Sequence, residues 1–277
     1  GRDRSQRRLA DARRGRARGA RRRRRRRAAR RPPARPRAGA PPLTKAGPVI
    51  PDFGGPSSCV EHNRFFCWDW VGEHWGDTLQ PALVQHVELT LIAVGIGFAI
   101  ALAAALLAHR LRPLQRPFDI FAALFYTIPS LALFQLLVPF TGLTTTTVEV
   151  ALVGYTLVIL YPNIGVGLDS APDDVVEAAR GMGLTSRQIL LRIRLPLAVP
   201  AIVGGLRVAV VSTVSIATIA AFLLPKGLGN PIFFALKAPS PFKTEIYAAG
   251  ALAVGLALAA DLLLVGLRRA LVPWSRA

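Results

Sequence analysis

Charged residues are scarce in this sequence of 277 residues. Lys, Arg, Asp and Glu make up only 18% of it, whereas hydrophobic residues make up 52%. Soluble globular domains typically carry about 25% charged residues, so the composition argues against a soluble protein. The sequence also lacks a loop of the Gly-x4-Gly-Lys-Ser/Thr form, which excludes a P-loop ATPase within this chain.

Candidate metal ligands are few as well. The chain has two cysteines, Cys59 and Cys67, and four histidines. Cys59 and His62 have the spacing of half a zinc site, but Cys67 and His74 are too far apart to complete a usual pattern. We therefore expect no metal ion and no other cofactor in this chain.

The net charge of +19 comes almost entirely from the Arg/Pro-rich segment 1–47. That segment holds 20 of the 35 Lys and Arg residues but only two of the 16 acidic residues. Because it has little apolar surface to bury, it is predicted to be disordered. Two interpretations stay open. The segment is either a tail that binds nucleic acid or anionic lipid or an extension translated from DNA upstream of the true start. Met182 is the only methionine, so the sequence as given has no initiator residue.

Segment 48–80 is short, interrupted by Gly and Pro, and rich in aromatic rings. Such rings suit a membrane interface, where each lies half immersed, and they equally suit a small packed cap over a membrane domain. The rings belong to Phe65, Phe66, Trp68, Trp70 and Trp75.

Long uncharged runs dominate the chain from residue 81 onward. A bilayer core is crossed by about 20 apolar residues in a helix, and in lipid the backbone must satisfy its own hydrogen bonds. The runs therefore predict five transmembrane helices in a membrane domain, 81–272. Their predicted bounds are about 84–108, 119–139, 148–167, 198–224 and 245–267.

Basic residues are divided unequally between the predicted loops. Ten lie on the side that carries the C-terminus, against three on the other side, Lys226, Lys237 and Lys243. The positive-inside rule then places the C-terminus in the cytoplasm and the N-terminus outside. Export of segment 1–47 is disfavoured by the same rule, so that segment is either absent from the mature protein or stays inside and disturbs the first span.

In this topology Cys59 and Cys67 face an oxidising compartment. They are eight positions apart, a distance that a turn can close to disulfide geometry. We predict a disulfide between them. The alternative is two free thiols buried among Phe65, Phe66 and Trp68.

Two charged residues lie well inside the predicted spans, away from the span ends. Arg207 and Asp261 lie at similar distances from the predicted cytoplasmic ends of their helices. Because a charge in the bilayer core is costly unless it is paired or functional, we expect a structural ion pair, with a role in the translocation path as the alternative. Other polar or kinking residues of the spans are assigned to helix packing, with pore lining as the alternative: Pro129, Ser130, Gln135 and Asn163.

The loop 169–197 is predicted to form two short helices separated by a turn. Gly181 and Gly183 suit the end of the first helix, and Thr185 or Ser186 suits the cap of the second. Within the loop the order is Glu-Ala-Ala, three residues, Gly, nine residues, Ile, one residue, and Leu-Pro. The fixed positions are Glu177, Ala178, Ala179, Gly183, Ile193, Leu195 and Pro196.

This pattern resembles the cytoplasmic signature of importer-type permeases of ABC transporters, with every spacing kept. The resemblance implies an all-α, polytopic protein of the inner (plasma) membrane with a five-helix importer core. In that family the loop forms coupling helices that dock on a cytoplasmic ATPase. Ala178 and Ala179 would then permit close approach, and Gly183 would make the bend.

Two further segments, Thr127-Ile-Pro-Ser-Leu-Ala-Leu and Gly227-Leu-Gly-Asn, resemble the osmoprotectant branch, which imports glycine betaine, choline or carnitine. The resemblance covers about residues 83–270. It implies a chain that catalyses nothing itself, with ATP used by a separate ATPase subunit. It also implies an extracytoplasmic substrate-binding protein and a second permease subunit, identical or related, in the bilayer, and no nucleic acid.

Three alternatives remain. The first is an ABC permease for another small solute such as an amino acid. The second is an ion-driven secondary transporter, which would need ion-binding groups at broken helices and usually internal repeats. The third is a membrane-anchored protein that binds nucleic acid or lipid through segment 1–47.

Overall fold

A computed structural model of the chain describes residues 58–272. The predictions for segment 1–47, and for the first ten residues of segment 48–80, lie outside the described residues. The all-α prediction is confirmed, because the described part of the chain forms helices and contains no strand. In chain order the helices are α1 (Ser58–Glu61), α2 (Trp68–Glu73), α3 (Gln80–Arg110), α4 (Gln115–Thr127), α5 (Ser130–Thr141), α6 (Thr145–Asp169), α7 (Asp173–Gly181), α8 (Ser186–Ile189), α9 (Leu195–Ile219), α10 (Gly229–Lys237) and α11 (Lys243–Leu271).

Two of the long helices are extended at their N-terminal ends by a wider, π-helical turn. Trp75–Leu79 precedes α3, and Leu190–Arg194 joins α8 to α9. The continuous helical segments are therefore Trp75–Arg110 and Ser186–Phe222. With α6 and α11 they make four helices, within residues 58–272, that are long and apolar enough to cross a membrane.

The second predicted span, 119–139, differs from the prediction because it is not one helix. Its two halves, α4 and α5, meet at an angle of 103°. Pro129 has no N–H to continue the helical ladder, and its ring disfavours the helical conformation at Ile128. Ile128 is accordingly extended, with ψ of 122°. The pair forms a fifth, broken span if it is counted as one crossing.

Helix α6 packs between α3 and α9 and is the most buried of the four long helices. A Cβ added to Gly97 of α3 would lie 2.6 Å from the Thr156 side chain, and one added to Gly205 of α9 would lie 2.7 Å from that of Asn163. The Thr156 hydroxyl also forms a buried hydrogen bond of 3.0 Å with that of Thr213. In lipid, such small-residue contacts and hydroxyl bonds hold helices together.

Residues 58–74 form a small cap on the N-terminal end of α11. The Asn63 side chain donates to the Pro241 carbonyl at 2.8 Å and accepts from the Lys243 N–H at 3.1 Å. Asn63 is the one non-glycine residue at positive φ within 58–272, with φ of 45°, a conformation that Asn tolerates better than most residues. The cap therefore fixes the point at which α11 begins.

The aromatic rings of the cap divide into two groups. Trp70 is buried, with its ring centroid 5.2 Å from that of Phe242. Phe65 and Trp68 are exposed, by 68% and 77%. The described part of the segment thus has both packed rings and exposed rings of the kind that suit a membrane interface.

A disulfide joins Cys59 to Cys67 within the cap, with 5.8 Å between their Cα atoms. The Cys67 N–H donates to the Thr244 hydroxyl of α11 at 3.0 Å. The bond therefore closes the loop that holds Asn63 against the start of α11.

We expect the cysteines to carry no free thiol in the mature protein. Denaturation and alkylation without reductant should leave both unlabelled in mass spectrometry, and addition of reductant should yield two labelled thiols. The Cys59→Ser variant is the control, because its single remaining Cys67 should be labelled under both conditions. Two labelled thiols in the unreduced wild type would contradict the disulfide.

Candidate coupling loop and polar groups of the bundle

The first half of the loop is helix α7, which begins directly after Pro172. Pro172 is extended and occupies the N-cap position, with ψ of 138°. Asp173 and Asp174 lie in the first turn, where carboxylates interact favourably with the positive end of the helix dipole. These contacts are local in sequence, which is why the helix start can be predicted from residue types alone.

Helix α7 ends in a Schellman motif centred on Gly183. Gly183 has φ of +84°, its N–H donates to the Arg180 carbonyl at 2.9 Å, and the Leu184 N–H donates to the Ala179 carbonyl at 3.1 Å. This pair of bonds satisfies carbonyls at the end of the helix and needs a residue that adopts the left-handed conformation. Gly181 is simply the last helical residue, so Gly183 alone makes the bend.

A capping box begins the second half of the loop. The Thr185 hydroxyl accepts from the Gln188 N–H at 3.4 Å, and the Gln188 side-chain oxygen accepts from the Thr185 N–H at 2.8 Å. Thr185, and not Ser186, is therefore the N-cap of α8.

The loop has an apolar core of its own. Val176 and Ala179 of α7 are buried together with Ala171 and Ile189, and the half-buried Ile193 packs against them. Two short helices thus form one folded unit and not two independent segments.

The adjacent alanines of the signature have different surroundings. Ala179 is fully buried within the loop's own core, whereas Ala178 and Glu177 are exposed. Only Ala178 is thus available for the close approach that the resemblance implied for both. The loop also exposes apolar side chains outside the signature, Val175, Leu191 and above all Met182, which is 74% exposed.

Helix α8 does not end before the membrane domain. It continues through the π-helical turn Leu190–Arg194 into α9, so that Pro196 stands in the first turn of α9. Pro196 has no N–H to donate to a preceding carbonyl, and the ladder passes this point with the Leu195 N–H bonded to the Leu190 carbonyl. Leu195 and Pro196 are both half-buried.

The two ends of the loop are tied to each other and to α3. Asp169 lies 3.3 Å from Nδ1 of His109 and 3.7 Å from the guanidinium of Arg194. Arg194 also donates to the Leu168 carbonyl at 3.0 Å. Asp169 is more than half exposed, so these contacts set position more than they add stability.

A cavity of about 520 Å³ lies beside this end of the bundle, between α4 and α6. Two carboxylates and one phenol contribute to its wall, and none of its lining residues is basic. The lining residues are Gln115, Asp119, Tyr161, Pro162, Gly165, Val166, Asp169 and Ser170. Within the described part of the chain, no three His, Cys, Asp or Glu side chains lie close enough to hold a metal ion.

Arg207 of α9 and Asp261 of α11 form a bidentate ion pair. Nε of Arg207 lies 2.7 Å from Oδ1 of Asp261, and Nη2 lies 2.9 Å from Oδ2. Both side chains are partly exposed, by 34% and 27%. The pair joins two long helices, and each charge neutralises the other.

The remaining polar residues of the spans have separate positions. Asn163 donates to the Ile159 carbonyl of its own helix at 2.7 Å while its Cβ packs on Gly205, which is a packing role. Pro129 stands at the break between α4 and α5. Ser130 is half-buried and Gln135 is exposed.

If the loop docks on an ATPase, as the resemblance implies, Gly183→Ala should weaken that docking. A side chain at this φ costs roughly 1–2 kcal/mol, although an added Cβ would meet no neighbouring atom, so the effect acts through the backbone. Gly183→Trp adds bulk to the same exposed point and should weaken docking further. The measurement is the amount of a co-expressed ATPase that co-purifies with this chain from membranes.

Gly181→Ala is the matched control for that experiment. An added Cβ there also meets open space, but the residue is helical, so docking should be retained. Equal docking by the wild type and both Gly183 variants would show that the loop does not carry the interaction.

The Arg207–Asp261 ion pair predicts that substitutions of its two residues have non-additive effects on the yield of folded protein. Arg207→Leu or Asp261→Leu alone leaves an uncompensated charge in the bundle and should lower the yield of folded protein. The double Leu variant should restore the yield, because it removes both charges together. The readout is the monodisperse fraction on size-exclusion chromatography. A double variant that folds but does not transport would assign the pair to the translocation path, and single variants as stable as the wild type would exclude a structural role.

Residues 95–276 match the family described as "Binding-protein-dependent transport system inner membrane component". The chain is 30% identical to the carnitine transport permease protein OpuCB of Listeria monocytogenes, over 72% of this chain and 90% of that protein. It is 36% identical to the osmoprotectant import permease protein OsmW of Salmonella typhimurium, over 68% and 89%.

Another relative and a solved structure are also similar to this chain. The choline transport system permease protein OpuBB of Bacillus subtilis is 29% identical, over 72% of this chain and 90% of that protein. Among solved structures, a chain of the inward-facing MetNI methionine ABC transporter aligns with a TM-score of 0.65 and 21% identity, over 72% of this chain and 98% of that one. At that identity the structural match supports the shared fold.

Proposed function

The chain belongs to the family of binding-protein-dependent transport system inner membrane components, the permease subunits of ABC importers, and we propose that it carries small quaternary ammonium solutes such as glycine betaine, choline or carnitine. The observation that supports this choice is the set of relatives matched over about nine tenths of their length, which are named for carnitine, osmoprotectant and choline transport. Family membership argues against the ion-driven alternative.

The charges of the bundle agree with such a solute. Arg207 and Asp261 neutralise each other within the spans, so no net charge there opposes a zwitterion. The cavity beside the loop is lined by Asp119 and Asp169 without a basic residue. Asp169 already lies 3.7 Å from the guanidinium of Arg194, so Asp119 is the carboxylate of this wall that suits the cationic end of a quaternary ammonium compound.

The proposed partners follow from the two ends of the bundle. The folded loop, with Ala178 and Met182 exposed, docks on a cytoplasmic ATPase, which hydrolyses ATP in a separate subunit. The opposite end, with the disulfide-closed cap, faces outward and receives solute from a binding protein. A second permease subunit, identical or related, completes the path. The N-terminus is then outside and the C-terminus inside, consistent with the unequal distribution of basic residues.

The structure offers a direct route for coupling. The docking loop and α9 share the helix Ser186–Phe222, so displacement of the loop by ATP-driven closure of the ATPase pair moves a helix of the path as well. Asp169 at the end of α6 contacts His109 of α3 and Arg194 of the loop. These contacts keep the loop attached to α3 and α6 as it moves.

We expect proteoliposomes that carry the permease, its ATPase and its binding protein to accumulate labelled glycine betaine or choline only when ATP is supplied. Uptake should survive an uncoupler, because no ion gradient drives it. Unlabelled carnitine should compete with the label, whereas unlabelled methionine should not.

The binding protein gives an independent test of the substrate class. If it binds an amino acid and no quaternary ammonium compound, the proposed solute is wrong while the permease assignment stands. Uptake that persists without ATP hydrolysis and collapses with the uncoupler would contradict both.

A further inference from the structure

His86 of α3 is a fully buried histidine whose two ring nitrogens are both bonded. Nδ1 lies 3.1 Å from the Leu228 backbone nitrogen, and Nε2 lies 3.1 Å from the Val214 carbonyl of α9. Because Nδ1 must accept from the Leu228 N–H, the proton of the neutral ring is on Nε2 and is donated to Val214. One side chain thus joins α3, α9 and the segment around Leu228.

The segment Gly227–Gly229, here called the distal turn, lies at the end of the bundle opposite the coupling loop and packs closely on its neighbours. A Cβ on Gly227, which has φ of +67°, would lie 2.8 Å from Nδ1 of His86. A Cβ on Gly229 would lie 2.0 Å from the Thr218 carbonyl. The Gly227 N–H also donates to the Gln85 side chain at 3.2 Å.

These distances give a physical reason for the Gly-Leu-Gly pattern noted in the sequence. Neither glycine can carry a side chain while the turn stays against His86 and α9, and Leu228 between them is fully buried. The backbone N–H of Leu228 has His86 as its partner, and a buried N–H that loses its partner is costly.

We propose that His86 is a positioning residue for transport: it holds the distal turn against α9, so that movement of the helix Ser186–Phe222 reaches the distal end of the path. The helix begins in the coupling loop and carries Val214 near its other end. Displacement at one end is therefore transmitted to the distal turn through the ring of His86. This inference rests on the proposed transport function.

The two bonds of the ring can be separated by substitution. His86→Asn keeps a polar atom near the place of Nδ1 and can still accept from the Leu228 N–H. His86→Gln keeps a donor near the place of Nε2 but leaves that N–H without its partner. The Val214 carbonyl is less sensitive, because the Thr218 hydroxyl of its own helix also donates to it at 3.0 Å.

The experiment measures labelled choline uptake and ATP hydrolysis together in proteoliposomes of the complete complex. His86→Gln should lower the solute taken up per ATP about tenfold, the factor that corresponds to about 1.4 kcal/mol. His86→Asn should retain most of the wild-type ratio. Thr90→Val is the matched control: Thr90 is buried on the same helix, but its hydroxyl donates only within α3, to the His86 carbonyl at 2.8 Å, so the ratio should not change.

Each other outcome overturns a specific statement. If Gln retains the ratio, or Asn loses it as Gln does, the Leu228 bond does not position the turn. If His86→Gln fails to assemble whereas His86→Asn assembles, the role is structural and the positioning proposal falls. If the wild-type complex takes up neither choline nor glycine betaine, the proposed solute fails, and stimulation of ATP hydrolysis by the binding protein becomes the readout. By that readout, His86→Asn should again behave like the wild type and His86→Gln should again be defective.

Discussion

The close packing of α6 against α3 and α9 is the constraint on which the other parts of the membrane domain depend. Apolar side chains gain little by leaving lipid for one another, so the helices are held by contacts between small residues and by hydroxyl bonds. Gly97 admits Thr156, Gly205 admits Asn163, and a Cβ on Gly167 would lie 3.1 Å from Ala198. These contacts at successive depths of α6 fix the positions of α3 and α9 along it. That in turn sets Asp169 beside Arg194 at one end and His86 beside Val214 at the other.

The sequence predicted the long helices well, because an uncharged run of sufficient length has few other structures available in a bilayer. It did not predict how each proline behaves. Pro162 lies inside the uninterrupted α6, whereas Pro129 stands at a bend of 103°. At that break the Tyr155 hydroxyl of α6 donates to the carbonyl of Ile128, a tertiary contact that stabilises the bent conformation. A partner 27 residues further along the chain cannot be read from local pattern.

The coupling loop shows the same division between local and long-range information. The end of its first helix at Gly181 or Gly183 and the cap of its second at Thr185 or Ser186 were predictable because each depends on residues within one turn, and the contacts then select Gly183 and Thr185. The different surroundings of Ala178 and Ala179 were not visible, since burial of Ala179 depends on Ala171 and Ile189 folding back on α7. The distal turn was recognised only as a resemblance, and its physical reason emerged from the contacts of Gly227 and Gly229 with distant helices.

The length of the helix Ser186–Phe222 bears on how the two ends are linked. Its 37 residues extend about 55 Å at 1.5 Å per residue, whereas the hydrocarbon core is about 30 Å thick. Even a tilted helix of this length must project beyond the hydrocarbon core. Because the helix begins after the capping box at Thr185, the projecting N-terminal end lies within the candidate coupling loop. A loop joined to the bundle by a flexible linker would absorb displacement before it reached the path. Here the only departure from α-helical geometry between Ser186 and Ile219 is the π-helical turn Leu190–Arg194, which keeps the backbone hydrogen-bonded while it passes Pro196. The helix that begins in the candidate coupling loop therefore also contacts α6, the Asp261 carboxylate and His86.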